Sequence, residues 1–175
     1  MLTDNYKKWY AFVQGNSTVS STPLPIGNEI IATTLNGVAV PGYTHIQCAS
    51  GSALESLCPG YKSHIYYGSG STPASVTDTN LESPISPAMK LTSLTTVSSE
   101  YKNHRAILTV SSLATNISSS AITVRELVWL KEMKLSKGAS ASVESCSVVL
   151  AREVLEEPVT IEAGGTHTFE VQFIC

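Results

Sequence analysis

The last seventeen residues, VTIEAGGTHTFEVQFIC (159–175), constrain the fold more than any other stretch of the chain. Val159 and Ile161 share one face of an extended segment and an Ala-Gly-Gly turn follows. Beyond it Phe169, Val171, Phe173 and Cys175 alternate with Thr168, Glu170 and Gln172. Successive side chains of a strand point to opposite faces, so this pattern buries one face and wets the other. The stretch reads as a β-hairpin with one dry side. Upstream, from Asn16 onward, short apolar runs are broken by turn formers in PLPIGN (23–28), LNG (35–37), VPG (40–42) and CPG (58–60). That punctuation belongs to strands and loops.

Further strands are expected at 43–48, at 64–67, and in SVVLAREVL (147–155), which leads to Pro158. Between 91 and 120, thirteen of thirty residues are Ser or Thr, yet AILTVSSL (106–113) keeps β-branched and apolar residues in alternation. It reads as a strand with a polar face. ITVRELVWL (122–130) alternates at first and then turns apolar on both faces from Leu127 to Leu130, as a central strand covered on both sides would. Seven or eight short strands follow one helix, and the fold class is all-β. The architecture expected is an antiparallel β-sandwich, jelly-roll or immunoglobulin-like.

The helix is N-terminal. Tyr6, Trp9, Tyr10 and Val13 fall at i, i+3, i+4 and i+7, with Thr3 or Asp4 as N-cap and Gly15 as the stop. A helix of about ten residues is marginal alone, so this aromatic stripe must dock on something. Its own domain is one candidate and a neighbouring subunit the other. The four residues are therefore candidate partner-docking positions. We divide the chain into an N-terminal helix or anchor, 1–15, and a β domain, 16–175.

Charge excludes some functions. The chain carries 11 basic and 14 acidic residues, a formal charge of -3 with neither sign in a block. A non-specific nucleic-acid surface needs a clustered basic face, so no nucleic-acid partner is expected. The first fifteen residues contain no secretory apolar region, and no later run has the length of a membrane span. The expectation is a chain made in a cytoplasm, with no membrane partner. Under reducing conditions Cys48, Cys58, Cys146 and Cys175 are then expected as free thiols, and their spacing does not match a zinc site.

Candidate chemistry is sparse. YGSGSTPASVTDTNLESPI (67–85) is glycine-rich, but a phosphate loop needs a following helix N-terminus and usually a Lys, whereas Pro73 follows here and no Lys or Arg appears between Lys62 and Lys90. Gly68 and Gly70 are expected to supply positive φ for a turn, Pro73 to stiffen its exit, and the chain to run extended to Leu81. Ser99 and Lys102 match a serine acyl-enzyme spacing without its companion motifs. His45, His64, His104 and His167 are dispersed, and Asn16 and Asn116 head glycosylation triplets that mean nothing without a secretory route. Arg152 and Glu153 are read either as surface charges, the favoured reading, or as an ion pair between subunits. We assign no catalytic, cofactor-binding or metal-ligating residue and no cofactor, and do not expect an enzyme.

Taken together, MLTDNYKKW, YGSGSTPASVTDTNLESPI, AITVRELVWL and VVLAREVLEEPVTIEAGGTHTFEVQF resemble, in order and spacing, a family of small tailed-bacteriophage virion structural proteins. The resemblance covers residues 1–14 and 66–174 and is loose between 16 and 60. One departure stands out: where the family shows Glu-Ile-Gly-Leu, this chain has Glu126-Leu127-Val128-Trp129. The resemblance implies a β-sandwich virion component that assembles with other virion proteins, capsid or tail subunits; likeness does not place it on head or tail, and the reading taken is a head decoration or head fibre on the particle surface, which low charge and Ser/Thr-rich faces suit. It implies a homo-oligomer, a trimer by analogy, assembled in the host bacterial cytoplasm and located in the virion. Two alternatives stay open: a tail or tail-fibre component, or a small carbohydrate-binding or adhesin module that stacks sugars on Trp129, Tyr66 or Tyr67.

Overall fold

The computed structural model describes residues 1–7, 22–23, 30–33, 39–43, 45–46, 63–85, 91–102, 105–138 and 142–174. Ten strands lie among them: β1 (Thr22–Pro23), β2 (Ile30–Thr33), β3 (Ala39–Tyr43), β4 (His45–Ile46), β5 (Ser63–Gly68), β6 (Leu91–Lys102), β7 (Arg105–Asn116), β8 (Ile122–Ser136), β9 (Glu144–Ile161) and β10 (Thr166–Ile174). They form two antiparallel sheets. The larger runs β1-β4-β8-β9-β2-β3, with β5 also paired to β8, and the smaller runs β10-β7-β6. The all-β class holds, but the strands are not uniformly short: β8 spans 15 residues and β9 spans 18.

The Ser/Thr-rich segment is ordered as strand well beyond the 106–113 expected. β6 and β7 pair without a break from Leu91↔Asn116 to Lys102↔Arg105. Threonine and valine suit a pleated surface, and alternation does the rest. Leu108, Val110, Ser112 and Ala114 of β7 are buried, while Leu113 between them is exposed. The buried face meets the larger sheet in one core, where Tyr67 and Phe169 rings lie 5.3 Å apart and the Tyr67 hydroxyl bonds Ser112 Oγ at 2.6 Å.

The expected C-terminal hairpin is corrected. β9 and β10 do not pair: β10 pairs with β7 and β9 with β8, so the turn after Ile161 carries the chain from one sheet to the other. Alternation decides which face of a strand is dry, and it does not decide which strand lies beside it. Gly164 adopts φ 72°, a conformation open to glycine without penalty, and its N–H donates to Asn116 O at 2.9 Å. Asn116 is fully buried, and its side-chain amide donates to Ser120 O and Ile161 O. One residue thus clips both sheet-to-sheet crossings, β7 to β8 and β9 to β10.

β9 continues through Pro158. Between Val124↔Val159 and Glu126↔Val154 the register shifts, leaving residues 155–158 opposite Arg125 alone. A proline is tolerated where a bulge removes the need for a ladder donor. A second shift sets Trp129 opposite Ala151 and Leu130 opposite Val149.

The described helical residues are 4–7. Thr3 is the N-cap: its carbonyl accepts from Lys7 N at 3.3 Å and its Oγ1 from Tyr6 N at 3.4 Å. Residues before and within this turn belong to the larger sheet. Leu2 bridges Ala151, Thr3 N donates to Leu150 O, and the Asn5 side chain pairs with both backbone groups of Ile31 at 2.9 and 3.2 Å. Asn5 therefore acts as a strand residue for β2.

Candidate functional site

The glycine-rich stretch lies over the second face of β8. Leu127 and Trp129 point into the main core, while Val128 and Leu130 face the other way and are buried with Leu81 and Val149. This bears out the expectation of a strand covered on both sides. The cover on the second face is the loop 69–85, and a buried carboxylate holds it there.

Glu126 has no exposed surface. Its Oε1 accepts from Gly70 N at 3.1 Å and Ser83 N at 2.8 Å, and its Oε2 from Glu82 N at 3.1 Å. Arg152 completes the set, with Nε at 2.9 Å and Nη2 at 2.8 Å from the same Oε2. The two side chains meet because Arg152 stands opposite Val128, so it is a diagonal neighbour of Glu126 on the same face. Arg152 Nη1 also reaches Asp78 Oδ2 at 3.0 Å, and that oxygen accepts from Ser75 N at 2.7 Å. Glu82, exposed, folds back on its own loop: Oε2 accepts from Ser71 N and Thr72 N, both at 2.8 Å, and Oε1 from the Thr72 hydroxyl at 2.6 Å.

Arg152 is thus no surface charge: its side chain is 3% exposed. Burial works against the guanidinium charge, but the hydrogen bonds it donates to Asp78 and Glu126 outweigh it and hold the group above its ordinary range. The Thr72 hydroxyl, the loop amides and Arg152 hold the Glu82 carboxyl below its usual range. Buried charge is tolerable when it is paired and hydrogen-bonded, and both oxygens of the fully buried Glu126 have donors.

The expected role of the glycines is corrected as well. Gly42 and Gly164 are the positive-φ glycines among the described residues, and Gly68 and Gly70 are not among them. They are needed for proximity instead. A Cβ on Gly68 would lie 2.3 Å from Glu126 Oε1, and one on Gly70 would lie 2.5 Å from Glu82 Oε2 and 2.6 Å from Glu126 Oε1. The loop cradles anions, and those anions are the chain's own carboxylates.

Of the four docking candidates, Tyr6 is turned inward, 7% exposed and 6.2 Å from the Trp129 ring, so it packs on its own domain. Trp9, Tyr10 and Val13 lie outside the described residues, as do Cys48, Cys58, Cys175, Asn16 and His104. Trp129 and Tyr67 are buried at 1% and 0% exposure, which removes them as a sugar-stacking platform. Tyr66 is half-buried with His64 edge-on at 6.4 Å. Asn116 is consumed by its internal bonds, and Ser99 is exposed on β6. Cys146 is a buried free thiol whose pKa burial pushes up. Nearby, contact with that thiol and donation to Glu144 Oε2 at 2.7 Å raise the Tyr43 hydroxyl above the usual phenol range. Among the described residues no group of three His, Cys, Asp or Glu is placed to hold a metal ion, and no helix is long and apolar enough to cross a membrane.

Sequence reasoning singled out the loop, Glu126 and Arg152 separately and missed that they form one unit. The signal available was a Glu and an Arg each set between apolar residues two positions away, the spacing of one strand face, Val124 and Val128 for Glu126, Leu150 and Val154 for Arg152. Comparison with protein-family models, curated proteins and solved structures finds no match.

Proposed function

We propose that this chain is a structural component of a bacteriophage particle: a β-sandwich subunit on the capsid surface, a head decoration or head fibre, that works by protein–protein contact and performs no catalysis. The observation that carries the reading is the fate of the glycine-rich loop. Its amides at Gly70, Ser71, Thr72, Glu82 and Ser83 are taken by Glu126 and Glu82, so the stretch most like a ligand cradle is filled from within. Three of the four stretches that carry the family resemblance, 67–85, 121–130 and 148–173, supply the loop, Glu126 and Arg152 of this lock. They are accounted for by scaffolding, which suits an assembly protein. The partners in this reading are capsid subunits and further copies of the chain, in a virion assembled in a bacterial cytoplasm.

The test is immunogold labelling and mass spectrometry of gradient-purified particles from a lysate producing this chain. Capsid surfaces labelled at regular positions are the expected result. Label confined to the tail would move the subunit there, and particles devoid of the chain would end the virion reading.

A further inference from the structure

We infer that the edge of β10 away from β7 pairs, antiparallel and about a two-fold axis, with β10 of a second copy of this chain. The larger sheet blunts its outer strands: β1 holds Pro23, β3 holds Pro41, and the β2–β3 register shifts between Ile30 and Ala32. β10 carries none of these devices. It pairs with β7 in unbroken register from Thr166↔Thr115 to Ile174↔Ile107, contains no proline, and has a single charged residue, Glu170. Among the described residues no strand lies on its other side. A long, regular, weakly charged edge is a template for another strand.

Two observations point to a second copy as the occupant. The first is self-complementarity. A two-fold axis through Val171 sets Glu170 of each copy opposite Gln172 of the other, Phe169 opposite Phe173, and Val171 opposite itself. Glu170 and Gln172 are exposed on the outer face, where Gln172 Nε2 reaches Glu170 Oε1 within the chain only at 3.4 Å. Shifting the axis by one residue to Glu170 would oppose two like charges, so the sequence favours one register. The second lies beneath the strand. Val171, half-buried, walls an apolar recess between the sheets with Ile65, Leu127, Trp129, Ala151 and Glu153. No residue of β6, the opposite edge, lines it. The second copy's Val171 would lie alongside this recess and extend its apolar wall.

The contact is independent of the virion reading: a chain absent from particles could still dimerise, and a monomer could still decorate a capsid. Sedimentation equilibrium at micromolar concentrations reads it, with three forms of the full chain. The wild type should contain dimers. Gln172→Glu opposes like charges at two symmetric positions and should weaken dimerisation by about two- to thirtyfold. Adding Glu170→Lys to Gln172→Glu restores opposite charges across the axis and should return the dissociation constant to near the wild-type value. Both positions are exposed, and unchanged urea midpoints would confirm that folding is intact. A monomeric wild type, a strictly three-fold assembly, or a Gln172→Glu variant that associates as before would each overturn the inference.

Discussion

Replacing Glu126 with Gln keeps the shape of the buried side chain and removes one of its two acceptors. If the new NH2 takes the place of Oε1, it faces the N–H groups of Gly70 and Ser83; if it takes the place of Oε2, it faces Glu82 N–H and the Arg152 guanidinium. Either rotamer strands at least two buried donors. At about 1–3 kcal/mol per unsatisfied group the loss is roughly 2–6 kcal/mol, which brackets the range of about 3–5 kcal/mol for breaking a buried ion pair. Measured against a domain stability of about 5–15 kcal/mol, this is a large fraction. Urea unfolding followed by tryptophan fluorescence would read it, since Trp129 is buried on the same strand. With a slope of about 1–3 kcal/mol per molar urea, the midpoint should fall by at least about 0.7 M. A second variant sharpens the point. Replacing a buried ion pair by apolar residues is often harmless, but Glu126→Leu with Arg152→Met leaves the amides of Gly70, Glu82 and Ser83 with no acceptor. It should remain strongly destabilised. A Glu126→Gln loss under about 0.5 kcal/mol, the range of ordinary surface changes, or a double variant as stable as wild type, would refute the reasoning.

Gly70→Ala places a methyl 2.5–2.6 Å from two carboxylate oxygens. Where alanine fits, the exchange stabilises by about 0.4–1 kcal/mol; here the overlap should reverse the sign and destabilise by more than about 1 kcal/mol, as measured by the same urea midpoint. Phe169→Ala opens a cavity against Tyr67 and should cost about 3–5 kcal/mol, with soluble yield falling in parallel; a cost under 1 kcal/mol would mean that β10 does not close the core. Because the folded-state pKa of Glu82 is depressed, its contribution is present above the ordinary glutamate value of about 4.3 and is lost as pH falls through the lower folded value. The urea midpoint of Glu82→Gln should accordingly vary less with pH below about 4.3 than that of wild type, and identical profiles would count against the Thr72 contact.

The parts of this fold that were legible in the chain are those set by local pattern. The switch at Leu127 from alternating to apolar residues announced that β8 is covered on both faces, and Thr3 was a recognisable cap. Pattern has no reach across the sheet. The Val159 and Phe169 runs looked like two arms of one hairpin because each had a dry face, and only the tertiary structure sends them to different sheets. Arg152 looked like a surface charge because its partners are 26 and 74 positions away at Glu126 and Asp78. The glycines were misread for a related reason. Their constraint is the approach of a carboxylate from β8, invisible in the local run of Gly, Ser and Pro.

The lock at Glu126 also bears on the order of events when the chain folds. β8 and β9 are joined by residues 137–143 and can zip as a local hairpin, whereas Gly70 and Glu82 reach Glu126 across 56 and 44 positions. Contacts of that span reward the chain only after the cost of loop closure has been met. The carboxylate therefore stays hydrated until the β8–β9 ladder exists, and surrenders its water only when the loop closes over it. Interactions formed after the transition state slow unfolding without speeding folding. A clasp over β8 that closes after the transition state is in this sense a kinetic one, setting how long a folded subunit lasts more than how quickly it is made.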